Sequence, residues 1–240
     1  MPSGYGPVRA FQGGAAMLVY HARPDDPPDA RQRRPPFAPC CSAGKCMSAR
    51  KGEGQVRIIG GRWRNTRLAV LDVAGLRPTS DRVRETLFNW LQPVLPGARV
   101  LDLFAGSGAL GLEAVSRGAA SACLVERDAG LAARLREQIG KLGAAGEVEV
   151  QQEDALRWLA RPAATRFDIA FVDPPFAAGL WNQVLAALPA HLSAEAWLYV
   201  EAPHDAAPWL PPEWRPHREG ETREVRYALY RRAAATLTLP

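Results

Sequence analysis

Two hydrophobic patterns alternate through the middle of the chain. Short apolar runs, typical of buried strands, are separated by segments whose apolar residues recur every three or four positions, as in helices that cover a sheet. The predicted strands are Arg99–Phe104, Ser121–Glu126, Val148–Gln151, Phe167–Val172 and Trp197–Glu201, and the predicted helices are Gly108–Arg117, Ala129–Leu142 and two that begin near Asp154 and Ala178. Repeated strand–helix units with apolar strands indicate an α/β fold with a parallel sheet covered on both faces.

The pattern changes near both ends of the chain. Trp214–Glu219 and Val225–Arg231 follow each other across a Glu-Gly turn, which predicts an antiparallel edge of the sheet. Before the first central strand, apolar runs flank Gly60-Gly61 and Asn65 within residues 56–70, which predicts a β-hairpin. The hairpin is rich in basic and aromatic residues, namely Arg57, Arg62, Trp63, Arg64 and Arg67.

A capped amphipathic helix is predicted after the hairpin. Pro78 precedes the N-cap candidates Thr79, Ser80 and Asp81. The apolar residues at helical spacing are Val83, Leu87, Trp90 and Leu91. We expect Arg82 and Arg84 to lie off the apolar face.

The chain divides by composition into four parts. Residues 1–46 contain eight Pro and five Gly without a sustained period, so we expect disorder there. Met47 opens a stretch typical of a protein start, which suggests that the preceding segment comes from a misplaced start codon. Residues 47–92 form the basic hairpin and helix, residues 93–232 the catalytic domain, and residues 233–240 a frayed tail.

Charge and composition narrow the classes of partner. The net charge is +5, and the basic excess lies entirely before residue 91, which suits a polyanion held by an N-terminal element, although a solvated basic face is an alternative. Cys40, Cys41, Cys46 and Cys123 lack the spacing of a zinc site, so we expect free thiols and no metal. No apolar run reaches the roughly 18 residues of a membrane span, and no secretory signal is visible, so a cytosolic protein is expected.

A glycine-rich turn follows the first predicted central strand. Gly106, Gly108 and Gly111 satisfy G-x-G-x-x-G between strand and helix, where missing side chains let a cofactor approach the backbone. Glu126 ends the next strand, about 20 residues on, where a carboxylate can accept both hydroxyls of a ribose. These residues predict an adenosine cofactor, and NAD is one candidate.

Two carboxylates favour S-adenosylmethionine over NAD. Asp102 in the turn could hold the methionine ammonium group, whereas a pyrophosphate gains nothing from an anion there. Asp154 could accept from the adenine amino group. It could also simply cap the next helix, and the two roles are compatible. The predicted cofactor-binding residues are Asp102, Phe104, Ala105, Gly106, Ser107, Gly108, Glu126, Arg127, Asp154 and Ala155.

The predicted reacting centre is the run Asp173-Pro174-Pro175-Phe176, directly after the fourth central strand. Open α/β sheets bind ligands at this carboxyl edge. The rigid Pro174 carbonyl and the Asp173 carboxylate could accept both hydrogens of an exocyclic amino group, and Phe176 could stack on the base. With the amine held in this way, its attack on a sulfonium methyl group would depend mainly on positioning. The alternative is a loop that merely closes the strand, since Asp and Pro are ordinary turn residues.

Several of these runs together resemble the RsmD family, the bacterial small-subunit ribosomal RNA guanine-N2 methyltransferases. The resemblance covers about Ser48 to Arg232 and lies in residues 56–63, 77–79, 81–91, 103–114 and 173–176. The N-terminal runs are the most particular to the family, because the Asp-Pro-Pro-Phe run also resembles adenine-N6 enzymes.

The resemblance implies a Rossmann-like class I methyltransferase fold with a seven-stranded sheet, and S-adenosylmethionine as methyl donor. It implies a guanine of 16S rRNA, at the 966-type position, as acceptor in the assembled small subunit. Nothing in the sequence demands more than a monomer, which is what we expect. The implied RNA-binding residues are Arg57, Arg62, Trp63, Arg64, Arg67, Arg77, Arg82 and Arg84. The hairpin could instead merely cover the sheet. An adenine-N6 enzyme, a nicotinamide-dependent oxidoreductase and a non-enzymatic RNA-binding module are the other functions left open.

Overall fold

The computed structural model describes residues 53–71 and 80–233 of the chain. Within these ranges the strands are β1 Glu53–Arg57, β2 Arg67–Leu71, β3 Arg99–Asp102, β4 Ser121–Glu126, β5 Val148–Gln152, β6 Phe167–Val172, β7 Leu192–Pro203, β8 Trp214–Glu221 and β9 Val225–Arg232. The α-helices are α1 Asp81–Leu91, α2 Ala109–Ser116, α3 Ala129–Leu142, α4 Ala155–Leu159 and α5 Trp181–Ala187. The segments Phe176–Ala178 and Leu188–His191 are short 3-10 helices.

The central sheet has seven strands in the order β5-β4-β3-β6-β7-β9-β8. The strands β5, β4, β3, β6 and β7 are parallel, whereas β9 pairs antiparallel with both β7 and β8. The predicted parallel sheet with an antiparallel C-terminal edge is therefore confirmed. The strand order reverses between β3 and β6, so the carboxyl ends of these two strands form the crevice where such sheets bind ligands.

The last turn differs from the prediction. Gly220 was expected in a Glu-Gly turn, but it lies in β8 and pairs with Tyr227. The chain instead reverses at residues 222–224, where the Thr222 hydroxyl accepts from the backbone N–H groups of Glu224 and Val225 at 3.2 Å each. A threonine hydroxyl that bonds to the backbone two and three residues later stabilises a turn without glycine.

Two apolar cores lie on the two faces of the central sheet. The helices α1, α2 and α3 pack on one face, where Phe171 makes edge contacts with Phe88 and Tyr199 at centroid distances of 6.1 and 6.2 Å. The helices α4 and α5 cover the other face, on side chains that include Leu101, Val172 and Val200. Phe171, Tyr199 and the residues in register with them therefore share the face beneath α1.

The helix α1 begins as predicted, but the prediction for Arg84 is wrong. The Ser80 hydroxyl accepts from the N–H of Val83 at 3.3 Å and caps the helix. Arg84 was expected off the apolar face, yet its side chain is 0% exposed. It donates to the Arg57 carbonyl at 2.8 Å and to Asp81 at 2.6 Å. A buried guanidinium is stable only with such partners, and helical spacing alone does not reveal them.

The strands β1 and β2 form the predicted antiparallel hairpin, and its loop is fixed on α2. The Glu113 carboxylate accepts from the N–H groups of Ile59 and Gly60 at 2.7 Å each. Gly61 has φ of 75°, and a Cβ there would lie 1.8 Å from the carbonyl oxygen of Ser116, so only glycine fits. The loop is therefore held against the last turns of α2.

Some of the predictions lie outside the described residues. These are the disorder and start-codon hypotheses for residues 1–46, the Arg77-Pro78-Thr79 run, and the tail after residue 233. Among the helices that the structure describes, none is long and apolar enough to cross a membrane.

Candidate active site

The predicted cofactor turn lies at the carboxyl end of β3, next to β6. Gly106 and Gly108 have φ of 51° and 75°, in the left-handed region that favours glycine. The N–H of Gly108 donates to the Ala105 carbonyl at 2.6 Å, and Gly108 caps α2 without a side chain. The turn therefore brings bare backbone and the start of a helix to the edge of the sheet, as a bound cofactor requires.

Glu126 ends β4 beside this turn, as predicted. One carboxylate oxygen accepts from the N–H of Gly106 at 2.9 Å and the other from the N–H of Asp128 at 2.8 Å. These bonds fix the carboxylate at the lip of the turn. Each carboxylate oxygen has a second lone pair, so both can still accept from ribose hydroxyls.

Asp102 is the last residue of β3 rather than part of the turn, and it is buried. Its carboxylate accepts from the N–H of Gly111 at 3.1 Å, which ties β3 to α2. Burial raises the pKa of Asp102 to about 7, and the Glu126 charge adds to this effect, while backbone N–H groups of Gly111 and Phe104 oppose it. A cationic ligand group would restore the charged form.

The other predicted cofactor residues surround the same edge. Asp154 follows β5 and caps α4, accepting from the N–H groups of Leu156 and Arg157 at 3.1 and 3.2 Å. The capping alternative is therefore confirmed, and it leaves the half-buried carboxylate beside the edge of the sheet. Phe104 and Ser107 are half-buried in the turn, Ala105 and Ala155 are buried, and Arg127 is exposed.

The predicted reacting centre follows β6 on the neighbouring strand. Asp173 is half-buried, Pro174 is buried and Pro175 is exposed. Phe176 is 39% exposed, an unusual position for a large aromatic residue, and its ring lies 6.1 Å from the Trp181 ring. The sequence run is thus presented at the same edge as the glycine turn, with an aromatic face in contact with solvent.

Sequence reasoning missed a buried pair on β7, next to this centre. The Tyr199 hydroxyl donates to the Glu201 carboxylate at 2.7 Å. Burial raises the pKa of Tyr199 well above its ordinary value, and the charges of Glu201 and Asp173 raise it further. A carboxylate at the end of the apolar run Leu198-Tyr199-Val200 was the available signal, because a strand end in this edge is a ligand position.

The predicted RNA-binding arginines lie in several places. Arg62 pairs with Glu147, directly before β5, and stacks over Trp63 at 4.2 Å. The hairpin tip is therefore at the amino edge of the sheet, opposite to Asp173. Arg57 is exposed and pairs with Asp81 at 3.3 Å. Arg64, Arg67 and Arg82 are also exposed.

Two further exposed arginines lie at the carboxyl edge of the sheet, the edge that carries the reacting centre. Arg226 is in register with Ala202 on β7, one residue beyond Glu201, and Arg223 is in the adjoining turn. They lie outside the basic excess, which ends before residue 91, so the charge pattern of the sequence does not single them out. Their position depends on the pairing of β7 with β9, which charge counting does not reveal.

A free cysteine and a cleft lie outside the predicted site. Among the described residues, no group of His, Cys, Asp and Glu has the arrangement of a metal site. Cys123 is a free, buried thiol, and burial raises its pKa to about 12. A cleft of about 890 Å³ beside β5 is lined by residues that include Cys123, Trp158 and His191. It contains none of the predicted site residues.

Comparisons with known proteins assign the chain to a family. A family model described as conserved hypothetical protein 95 matches residues 56–231. Ribosomal RNA small subunit methyltransferase D of Escherichia coli strain K12 is 48% identical over 186 residues, which are 76% of this chain and 93% of that protein. The chain belongs to the RsmD family. The match begins in the hairpin, so the hairpin is part of what the family shares.

Solved structures agree on the architecture. The Escherichia coli protein yhhF is 48% identical, with a TM-score of 0.68 over 75% of this chain and 99% of that one. An RNA methyltransferase of Salinibacter ruber, solved with S-adenosyl-L-homocysteine, is 16% identical, with a TM-score of 0.52 over 68% of this chain and 97% of that one. The second likeness concerns the fold alone. The fold is that of the class I S-adenosylmethionine-dependent methyltransferases, as predicted.

Proposed function

We propose that this protein transfers a methyl group from S-adenosylmethionine to the exocyclic N2 amino group of a guanine in 16S rRNA. The observation that carries the proposal is the placement of the glycine turn and the Asp173–Phe176 run on the neighbouring strands β3 and β6 of an RsmD family chain. Family resemblance further suggests the 966-type guanine, in the assembled small subunit.

The residues at the carboxyl edge fit the methyl donor. The Glu126 carboxylate would accept from the ribose hydroxyls, Asp154 would accept from the adenine amino group, and Asp102 would face the methionine ammonium group. A donor ammonium would favour the charged form of Asp102, whose buried carboxyl otherwise titrates near neutral pH. When bound, S-adenosylmethionine supplies an electrophilic methyl group on a sulfonium centre.

The Asp173–Phe176 run would hold the amine. Asp173 and the Pro174 carbonyl would accept the two N–H groups, which orients the nitrogen lone pair toward the methyl group. The exposed ring of Phe176 would stack on the base. A paired base would have to leave its helix to reach this position. The lost proton would pass to Asp173 or to water after methyl transfer.

The RNA backbone would be held by exposed arginines. Arg57, Arg64, Arg67 and Arg82 remain candidates on the hairpin and α1, and Arg62 could join them by leaving Glu147. Buried Arg84 instead supports the hairpin, since its side chain is not accessible to RNA. We add Arg223 and Arg226, because the pairing of β9 with β7 places them at the carboxyl edge, the edge that carries Asp173.

We also propose that the protein is a monomer and that it acts on small subunits in the cytoplasm. The basic hairpin and α1 would be an RNA-holding element attached to the catalytic part by Glu113. The family membership gives no support to nicotinamide chemistry.

The test is the identity of the methylated nucleoside. The full-length protein is incubated with labelled S-adenosylmethionine and small subunits that lack the modification, and the RNA is digested to nucleosides. We expect label in N2-methylguanosine. Label in N6-methyladenosine would point to an adenine enzyme, and RNA affinity without transfer would point to a binding module.

A further inference from the structure

An amine holder of the Asp-Pro-Pro-Phe type does not by itself distinguish guanine from adenine. In both bases the exocyclic amino group is attached to a ring carbon beside N1. The difference is at N1, which carries a hydrogen in guanine and a lone pair in adenine. A flipped base is read through this edge, so a group facing N1 can decide which base is methylated.

Glu201 lies beside the residue that would hold the amine. In the sheet, Phe171 is in register with Tyr199 and Val172 with Val200, so Asp173 and Glu201 are the next neighbours along the two strands. Adjacent strands are about 4.8 Å apart. The Tyr199 hydroxyl donates to Glu201, and the nearby charge of Asp173 contributes to the raised pKa of Tyr199. The two carboxylates therefore lie side by side at the carboxyl edge.

The surroundings hold Glu201 rigidly and connect it to the stacking residue. Its backbone carbonyl accepts from the Trp181 indole N–H at 2.8 Å, and the same indole ring contacts Phe176. Its side chain is nine-tenths buried, with only 6% exposure of the residue. The oxygens of a carboxylate only accept hydrogen bonds, and Tyr199 already donates to one of them, so a base that meets this carboxylate has to supply a donor.

We propose that Glu201 accepts the N1–H of the target base and so determines the choice of guanine. This inference rests on the proposed function. Guanine supplies a donor to the buried carboxylate, whereas adenine would bring a lone pair against a negative charge. Glu201 is then a specificity-determining residue beside the amine holder, and Tyr199 is the positioning residue that directs it.

The experiment compares two acceptors that both carry the 2-amino group. Small subunits are reconstituted with the target guanine, or with 2,6-diaminopurine, which has a lone pair at N1, and kcat/KM is measured for each. The wild-type protein should prefer guanine. In Glu201→Gln, whose amide can donate as well as accept, we expect guanine kcat/KM to fall by about 10- to 100-fold and the preference to shrink by a similar factor.

Three controls separate specificity from a structural role. Glu195→Gln changes an exposed carboxylate at the other end of β7 and should leave both acceptors unaffected. Glu201→Asp keeps the charge and should retain the guanine preference at lower turnover. Affinity for S-adenosylmethionine should be unchanged in all three variants, which shows that the fold persists.

The outcomes are distinguishable. A preference that shrinks in Glu201→Gln and persists in Glu201→Asp supports the inference. Equal losses on both acceptors, including complete loss on both, overturn it while leaving the proposed function intact. Absence of N2-methylguanosine from the wild-type reaction overturns the proposed function and this inference together.

Discussion

At the scale of single residues, the candidate site is built on buried carboxylates. Asp102, Glu126 and Glu201 are all buried near the carboxyl ends of β3, β4 and β7, and each has backbone or hydroxyl donors in contact. Such groups are costly to keep charged unless a ligand or donor compensates them. The carboxyl edge of the sheet therefore favours ligands that carry a positive charge, hydroxyl groups or an amino group.

The titration of Asp102 should appear in cofactor affinity. Its pKa of about 7 means that about one carboxyl in ten is charged at pH 6. We expect affinity for S-adenosylmethionine, measured by calorimetry, to be up to about tenfold weaker at pH 6 than at pH 8. Asp102→Asn should bind weakly at both values. An unchanged pH dependence in that variant would contradict the assignment.

The same residue affects folding in the opposite direction. Folded Asp102 keeps its proton up to about pH 7, whereas an unfolded Asp loses it near pH 4. The native state therefore binds more protons between these values, so its contribution to the free energy of unfolding falls as pH rises through this window. Asp102→Asn should flatten that decline in urea titrations.

Replacing two of the carboxylates should affect methyl transfer and cofactor binding separately. Asp173→Ala should abolish methyl transfer and change affinity for S-adenosylmethionine by no more than about twofold, because it removes only the amine acceptor. Glu126→Ala should weaken cofactor binding by about 10- to 100-fold, through loss of charge-assisted hydrogen bonds. Normal turnover in the Asp173 variant would show that the amine is held elsewhere.

At the scale of elements, the hairpin is joined to the catalytic sheet through α2. Glu113 accepts from the hairpin backbone and from Arg117 at 2.6 Å, and Arg84 lies 3.7 Å from it. The helix that carries Glu113 begins at the glycine turn. One helix thus fixes the geometry of the cofactor turn and of the basic hairpin.

Removal of this junction should destabilise the fold. Glu113→Gln removes the carboxylate that contacts buried Arg84 and half-buried Arg117 and accepts from the hairpin backbone, so we expect the free energy of unfolding to fall by about 3 to 5 kcal/mol in urea titrations. Glu137→Gln is the matched control, since Glu137 makes the same i,i+4 contact with Lys141 on the surface of α3. Comparable losses in both variants would show that burial is not the cause.

At the scale of the whole molecule, basic residues lie at two opposite edges of the sheet. The hairpin tip with Arg62 and Arg64 is near the start of β5, and Arg223 and Arg226 are near the carboxyl end of β7. In the proposed function, the target base enters at the second edge. An RNA that contacts both edges would have to wrap across the molecule.

The salt dependence of RNA binding can show how many phosphate contacts the arginines at each edge make. Replacing Arg223 and Arg226 by Gln should lower affinity and reduce the slope of log K against log salt by about 1 to 2, as expected for lost phosphate contacts. Arg62→Gln with Arg64→Gln tests the tip in the same way. Arg215→Gln with Arg218→Gln, farther along the same strand pair, should leave the slope unchanged.

The sequence alone determined the local features of this protein. Apolar periodicity located the central strands and helices, because the spacing of buried residues along a segment differs between a strand and a helix. The glycine turn, Glu126 and the Asp173–Phe176 run were also visible, since each is a short run tied to a strand end. Family resemblance then supplied the nucleic-acid assignment, and the comparisons confirmed the family.

Only the tertiary structure decided which distant residues meet. The burial of Arg84, the pairing of Arg62 with Glu147 and the position of Glu201 beside Asp173 all depend on contacts between segments far apart in sequence. Periodicity reports which face of an element is apolar, but it does not report which partner covers that face. Strand order and register supply that information, and they place the carboxylates of four neighbouring strands along one edge.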